Sequence, residues 1–439
     1  MIERGLVSKL AVRLPMGVLL PLIMIVTIGI VNLSSAAQAT RPDLYLSQLS
    51  KFGFAFCVMM VAASLHTRII RRFAPIVYIA AIILLMLVMV VGTSAKGGQR
   101  WLVLGAFRLQ PSDPAKIAVV LAMARYCSMY WPHKGYSLYT LLRPLNLSRP
   151  LGFLALMVFM LVRDRHDSTI FSSQLLKSNL GMGIMIALLV GGLIWVLLAI
   201  LVLIREEFQF PSIVAPIDVP LLPFFLIYIE PDLGTGVIVL AIAGMMFLFI
   251  GIKRSSLLLG IVAATVLAVG AYFTVLKDYQ RQRVISFLNP EADLQGDGYQ
   301  AMQSIIAIGS GRILGKGFKG GTQTQLSFLP ENSTDYIFSV WAEEWGFIAC
   351  IFLLSLYIGL LWAILKVAMR VDDQFSQLVC VGVAANIFVH VFINVGMVTG
   401  LMPVVGVPLI LMSHGGSAML TTLIGIGLVV NVALWRGAH

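Results

Sequence analysis

The sequence predicts an all-α polytopic membrane protein, and three observations carry that prediction. Hydrophobic residues fill 59% of the 439 positions and charged residues only 12%, where a soluble domain carries about 25% charged residues. The mean hydropathy is +0.94. The apolar residues fall in continuous runs near 20 residues, the length of one bilayer crossing, not in the alternation of a porin-type barrel. A soluble globule, a disordered chain, a collagen and a disulfide scaffold are excluded. The net charge of +11 does not point to nucleic acid. Its basic residues cluster beside apolar runs (Arg68, Arg71, Arg72; Lys253, Arg254; Lys366, Arg370), as cytoplasmic loops do. Cys57, Cys127, Cys350 and Cys380 form no CxxC pair and read as membrane packing residues.

Taken in order, the runs give spans at about 16–34, 50–66, 75–93, 113–128, 151–163, 181–204, 213–230, 235–251, 257–276, 336–365, 377–398 and 415–435. The first follows Arg4, Lys9 and Arg13 and is too long for a signal-peptide core of roughly 7–15 residues, so it reads as a retained helix. Lys116 and Arg125 interrupt the fourth. The fifth is short enough to be re-entrant. Twelve spans put both termini and the three basic clusters on the cytoplasmic side. They leave 94–112, 164–180, 277–335 and 399–414 outside. The loop 277–335 carries 12 charges, six of each sign, and loops of that length without structure are usually functional.

Ionisable residues at membrane depth are functional candidates. Asp113 and Lys116 share a helix face and can pair, either at a helix start capped by Ser112 with Pro114 in its first turn or along a cavity. Arg100 and Trp101 lie just before them. Glu230 and Asp232 form a polar turn or orient a cation. Asp335 ends the large loop, shortly after Glu331 and before Trp341, Glu343, Glu344 and Trp345. A carboxylate at that boundary suits a general base; the alternative is a helix cap by Thr334 or Asp335. Gly400–Pro408 and Ser413–Ser417 break an apolar run, which is tolerated only in protein or at a cavity. His414 there is a possible base or a polar packing residue. Gly309–Gly317 misses both GxGxxG and Walker spacing. It reads as a flexible loop, or as a diphosphate cradle through its amides with Lys316, Lys319 or Arg312.

Nine short segments then line up: Gly98-Gln99-Arg100-Trp101, Gln110-Pro111-Ser112-Asp113, Pro231-Asp232-Leu233-Gly234-Thr235, Gly298-Tyr299-Gln300, Leu329-Pro330-Glu331, Thr334-Asp335-Tyr336-Ile337-Phe338, Ala342-Glu343-Glu344, Pro403–Pro408 and Ser413-His414-Gly415-Gly416-Ser417. Their order over most of the chain resembles the SEDS membrane proteins (shape, elongation, division, sporulation). Asp278–Arg283, Gln303-Ser304, Ala307–Gly311 and Gly315–Phe318 resemble the elongation branch more than the division branch. Asp113 stands where the family usually has Glu, Arg312 where Gly is usual, and Ile410 where a proline is common.

The resemblance implies a SEDS-type bundle of about ten core helices with one large extracytoplasmic loop. On that reading residues 1–128 hold the first four core helices. Residues 129–212 are an insertion with an extra helical hairpin, and 213–276 return to the core. The loop is 277–335, and 336–439 hold the C-terminal helices. The implied activity is a peptidoglycan glycosyltransferase of the bacterial cytoplasmic membrane that polymerises lipid II. Asp335 matches the essential loop aspartate, so it is the expected catalytic base. Arg100, Trp101, Asp113, Lys116, Lys316, Glu331 and Ser413 are the expected substrate-binding residues. The implied partners are a class B penicillin-binding protein and other rod-shape proteins. A divalent cation (Mg or Mn) assisting the diphosphate is compatible, with no ligand set legible. A flippase for the lipid-linked precursor and a non-catalytic scaffold are the alternatives.

Overall fold

The computed structural model describes residues 15–38, 41–95, 98–104, 107–131, 135–137, 216–274, 278–289, 293, 296–326, 328–329 and 331–435. The spans expected at 151–163 and 181–204, and with them nearly all of the insertion expected at 129–212, lie outside the described residues.

Among the described residues the membrane helices are α1 (Met16–Ala36), α2 (Leu44–Ser64), α3 (Thr67–Val91), α4 (Ser112–Met129), α5 (Asp218–Ile229), α6 (Leu233–Ile250), α7 (Arg254–Thr274), α11 (Ile337–Ala368), α12 (Gln374–Val398) and α13 (Gly416–Leu434). They match the ten expected spans that fall in described sequence. Seven of them, α1, α2, α3, α6, α11, α12 and α13, are long and apolar enough to cross a bilayer. The chain is a multi-pass membrane protein. α4 is the least apolar span, and it lies inside the bundle. It packs against α3, α12, α6, α5 and α13, and most of its side chains are buried, Asp113 and Lys116 among them, so these polar residues face protein instead of lipid.

Four expectations are corrected. The basic trio Arg68, Arg71 and Arg72 lies in the first turns of α3, not in a loop before it. That helix begins at Thr67, where the His66 ring accepts from Arg68 N at 3.2 Å. The outer segment 94–112 holds a small antiparallel sheet, β1 (Thr93–Ala95), β2 (Gly98–Leu104) and β3 (Phe107–Leu109), in the order β1-β2-β3. The large loop contains α8 (Asp278–Leu288), α9 (Asp297–Ser310) and α10 (Thr322–Gln325). Ser112 does not cap α4: Pro111 holds the cap position without a side-chain bond, and Ser112 Oγ is buried with no hydrogen-bond partner.

Side-chain amides fasten the bundle. Asn431 of α13 donates to Ala63 O at 3.0 Å and also to Leu65 O, and its oxygen accepts from Thr67 Oγ1 at 3.1 Å. The α2–α3 turn is thereby tied to α13. Asn32 of α1 donates to Ile337 O at 2.9 Å and fixes the start of α11. Buried amides that donate across helices favour one arrangement of the bundle.

Candidate active site

The polar candidates gather at the end of the bundle where α4, α6, α11 and α13 begin and α3 and α12 finish. On α4, Lys116 Nζ lies 2.9 Å from Asp113 Oδ1, as their spacing predicts, and 3.0 Å from His390 Nε2 of α12. All three side chains are buried. His390 Nδ1 in turn lies 3.4 Å from Pro408 O, in the broken segment. The sequence reading missed His390, because a lone histidine in an apolar run carries no mark of a partner 274 positions away.

Arg100 projects from β2 to the α5–α6 turn. It donates to Glu230 O at 3.1 Å and to Pro231 O, and approaches Asp232 Oδ1 at 4.0 Å. Asp232 also accepts from Gln110 Nε2 at 3.1 Å and caps α6 through Thr235 N at 3.3 Å. Both readings of that turn therefore apply to Asp232: it is a cap and it orients a cation. Glu230 differs. Its carboxyl oxygens are buried without hydrogen-bond partners. Burial first, and then Asp232, push its pKa up to about 9 against the opposing pull of Arg100. Glu230 is a neutral acid at pH 7. Trp101 stays in the sheet, where its carbonyl accepts from Thr93 Oγ1 at 3.2 Å.

Asp335 lies in the turn 331–336 that leads into α11, and its side chain is half-buried. The cap reading is corrected: Tyr336 occupies the N-cap of α11 and no side chain caps it. The turn is clamped instead. Asn394 Nδ2 of α12 donates to Asp335 O and to Val407 O, each at 2.7 Å. Ser413 Oγ donates to Thr334 O at 2.5 Å and accepts from Leu409 N at 2.9 Å. His414 N donates to Ser333 O at 2.9 Å. Glu331 accepts from Thr334 Oγ1 at 2.9 Å. Gly406, at φ +76°, passes the carboxylate so closely that a Cβ there would stand 3.5 Å from Asp335 Oδ2.

Two further groups flank this clamp: Lys51, which the sequence reading passed over, and Arg283, which it placed in the stretch Asp278–Arg283. Lys51 Nζ of α2 lies 3.2 Å from His414 Nε2, next to the His414 N–Ser333 O bond of 2.9 Å. Arg283 of α8 donates to Val405 O at 3.4 Å. Lys51 stands in no pattern that marks it, being a single cation at the edge of an apolar run. His414 is a poor base. Burial, with Lys51 and Arg41 nearby, lowers its pKa to about 4, so its ring is neutral at pH 7 and can accept from Lys51.

Lys316 is engaged away from Asp335. Its Nζ lies 2.7 Å from the buried Glu343 Oε1 and 2.8 Å from Thr322 Oγ1. The diphosphate-cradle and flexible-loop readings of Gly309–Gly317 both give way here. α11 is kinked at Gly346, which has φ +75°. The kink releases the carbonyls of Glu343 and Glu344, and these accept from Lys316 N at 3.0 Å and Gly317 N at 2.9 Å. In return Phe347 N and Ile348 N donate to Arg312 O and Ile313 O at 2.9 and 3.3 Å. The amides that might have held an anion are used to repair a helix. Among the described residues no group of three or more His, Cys, Asp or Glu side chains could hold a metal ion. The donors among the described residues do not make a protein-held Mg or Mn site.

The fold and this site define a class: a polytopic membrane protein with a clamped carboxylate and buried cations at one end of a helical bundle. A family model for cell cycle proteins of the FtsW/RodA/SpoVE type matches residues 9–217 and 204–436. The first match runs through 129–212. The chain is 34% identical to the peptidoglycan glycosyltransferase MrdB of Escherichia coli K12 over 89% of its own length and 85% of the relative's. It is 29% identical to the peptidoglycan glycosyltransferase RodA of Treponema pallidum, over 94% and 96%. Among solved structures, a chain of a peptidoglycan synthase complex that coordinates polymerization and crosslinking superposes with a TM-score of 0.69 at 27% identity, covering 96% and 98% of the two chains. The rod shape determining protein RodA of Thermus thermophilus matches in fold, with a TM-score of 0.57 at 24% identity over 96% and 97%. The chain belongs to the FtsW/RodA/SpoVE family of membrane proteins, the SEDS family.

Proposed function

We propose that this chain, a peptidoglycan glycosyltransferase of the elongation type, polymerises lipid II into β-1,4 glycan with Asp335 as the general base. The GlcNAc O4 of one substrate attacks C1 of the diphosphate-linked MurNAc of another. The C1–O bond breaks, undecaprenyl diphosphate leaves with the electron pair, and the hydroxyl proton passes to Asp335. The α-linked donor becomes a β-linked product, so the displacement inverts. Such a step needs a base at the acceptor and positive charge at the leaving group.

The observation that carries the reading is the clamp on Asp335. A half-buried carboxylate has its backbone fixed by Asn394 and its turn fixed by Ser413 and His414, while no helix cap occupies it. Such fixing favours one geometry, which general-base catalysis requires. Arg100 and Lys116 supply positive charge for the diphosphate, with Asp113 and His390 positioning Lys116. Trp101 and Glu331 line the acceptor side. Lys316 has a weaker claim, because Glu343 already neutralises it. The large loop faces the outside of the cytoplasmic membrane, and the working assembly includes a class B penicillin-binding protein and other rod-shape proteins.

Purified chain with its partner, supplied with lipid II in detergent, tests this. Glycan polymer from the unaltered chain and none from Asp335→Ala is the expected result. Polymer that survives Asp335→Ala removes the assigned base. Labelled lipid II crossing liposomes with no polymer formed supports a flippase instead.

A further inference from the structure

At the end of the bundle opposite Asp335, α3 begins, α4 ends and α12 begins. A cavity of about 610 Å³ opens there, lined by Arg68, Arg71, Arg72, Arg125, Asp372 and Asp373 among others. Four arginines against two aspartates leave a net of two positive charges. The wall is preorganised. Arg71 is paired with Asp373 and lies over the Phe375 ring, 4.9 Å from its centroid. Asp373 is further committed to Ser376, accepting from its N at 3.0 Å and its Oγ at 2.6 Å. Arg125 braces α3 by donating to Arg71 O at 2.7 Å and Arg72 O at 2.9 Å. Arg68 and Arg72 are exposed, as is Asp372.

The surroundings discriminate between ligands. Ile69, Phe73 and Ile76 are about half exposed on α3, and Arg72 lies three residues from Ile69 and four from Ile76. That spacing puts Arg72 on the same face of the helix. Arg72 therefore joins the basic pocket to an exposed apolar stripe of α3. A soluble anion would use the arginines and ignore the stripe; a lipid would use both. Arginine clusters match phosphate oxygens in geometry and charge, and basic pockets between membrane helices take anionic headgroups.

We propose that this pocket binds the phosphate headgroup of an anionic membrane phospholipid, with its acyl chains along the Ile69–Phe73–Ile76 face of α3. The site is separate from the proposed glycosyl transfer and does not depend on it. The orientation proposed above puts it in the cytoplasmic leaflet.

The test uses the full chain in nanodiscs with phosphatidylglycerol titrated into phosphatidylcholine. Native mass spectrometry counts the lipid retained. The unaltered chain retains phosphatidylglycerol in preference to phosphatidylcholine. Arg72→Gln weakens retention about fivefold, and Arg68→Gln with Arg72→Gln about thirtyfold, at one surface charge each. Lys253→Gln with Arg254→Gln, which removes two charges outside the pocket, leaves retention unchanged. Because Arg72 is exposed, its single variant keeps the test valid if the double variant misfolds. Equal loss in the two double variants overturns the proposal in favour of diffuse surface attraction, and unchanged retention in both pocket variants overturns it outright. Displacement by millimolar inorganic phosphate would make a soluble phosphate the ligand. Binding of a polyglutamate peptide without lipid retention would make the pocket a docking site for an acidic protein.

Discussion

The helical backbone is broken at Gly346 within α11 and again between Val398 and Gly416, and the two breaks are filled in opposite ways. At Gly346 the released carbonyls and amides bond to the turn 312–317, and the nearby Glu343 is buried against Lys316, Thr322 and Gln323 N. At the second break the backbone is held by side chains reaching in from neighbours: Asn394 on Val407 O, and Tyr357 on Ile410 O at 2.6 Å. It presses on a turn whose aspartate remains half-buried. Irregular backbone at membrane depth must be satisfied by protein. The first break satisfies it and buries its carboxylate completely; the second satisfies it and leaves the carboxylate beside it half-buried.

Predictions follow that contrast in order of expected size. Asp335→Asn removes the base and should lower the lipid II polymerisation rate about 10²–10⁴-fold, with the thermal unfolding curve little changed. Loss of folding together with activity would make Asp335 a structural residue instead. Lys116→Met leaves Asp113 buried and unpaired, which costs about 3–5 kcal/mol; thermal unfolding in detergent should show it as a large drop. Gly346→Ala forces a side chain into a conformation that favours glycine, and its Cβ would meet Gly315 N at 2.3 Å. It should cost at least about 1–3 kcal/mol, while the fraction that folds keeps its polymerisation rate.

Glu230 supplies a pH-dependent effect spread over several pH units. Its pKa rises from 4.5 to about 9 on folding, so the folded chain holds a proton that the unfolded chain gives up. The stabilisation is complete below pH 4.5 and is lost as pH rises towards 9, by at most about 1.4 kcal/mol per pH unit. Glu230→Gln should flatten the dependence of unfolding on pH over that window. The smallest effect is expected at His414. With a pKa near 4 it does not titrate near neutrality, so His414→Gln should leave the shape of the activity profile between pH 6 and 8 unchanged.

Much of this is legible in the sequence, because a bilayer imposes strict rules. Runs of apolar residues locate all ten membrane helices in the described residues, and the i, i+3 spacing of Asp113 and Lys116 predicts their pair. Contacts made by distant segments are not legible. His390 reaches Lys116 and Asn394 reaches Asp335 only because α12 lies against both. The sheet at Thr93–Leu109 lacks a strong alternation, being short. The glycines of 309–317 look like an anion-binding loop because glycine marks close approach by any backbone, and here the approaching backbone is α11 itself.

The most direct test is the polymerisation rate per folded molecule of Asp335→Asn beside Glu343→Gln, each with the partner present. Asp335→Asn should fall to about one-hundredth or less, while Glu343→Gln, at the break that is filled from within, should keep most of the rate. A Glu343→Gln chain that folds but is inactive, beside an active Asp335→Asn chain, would contradict the account.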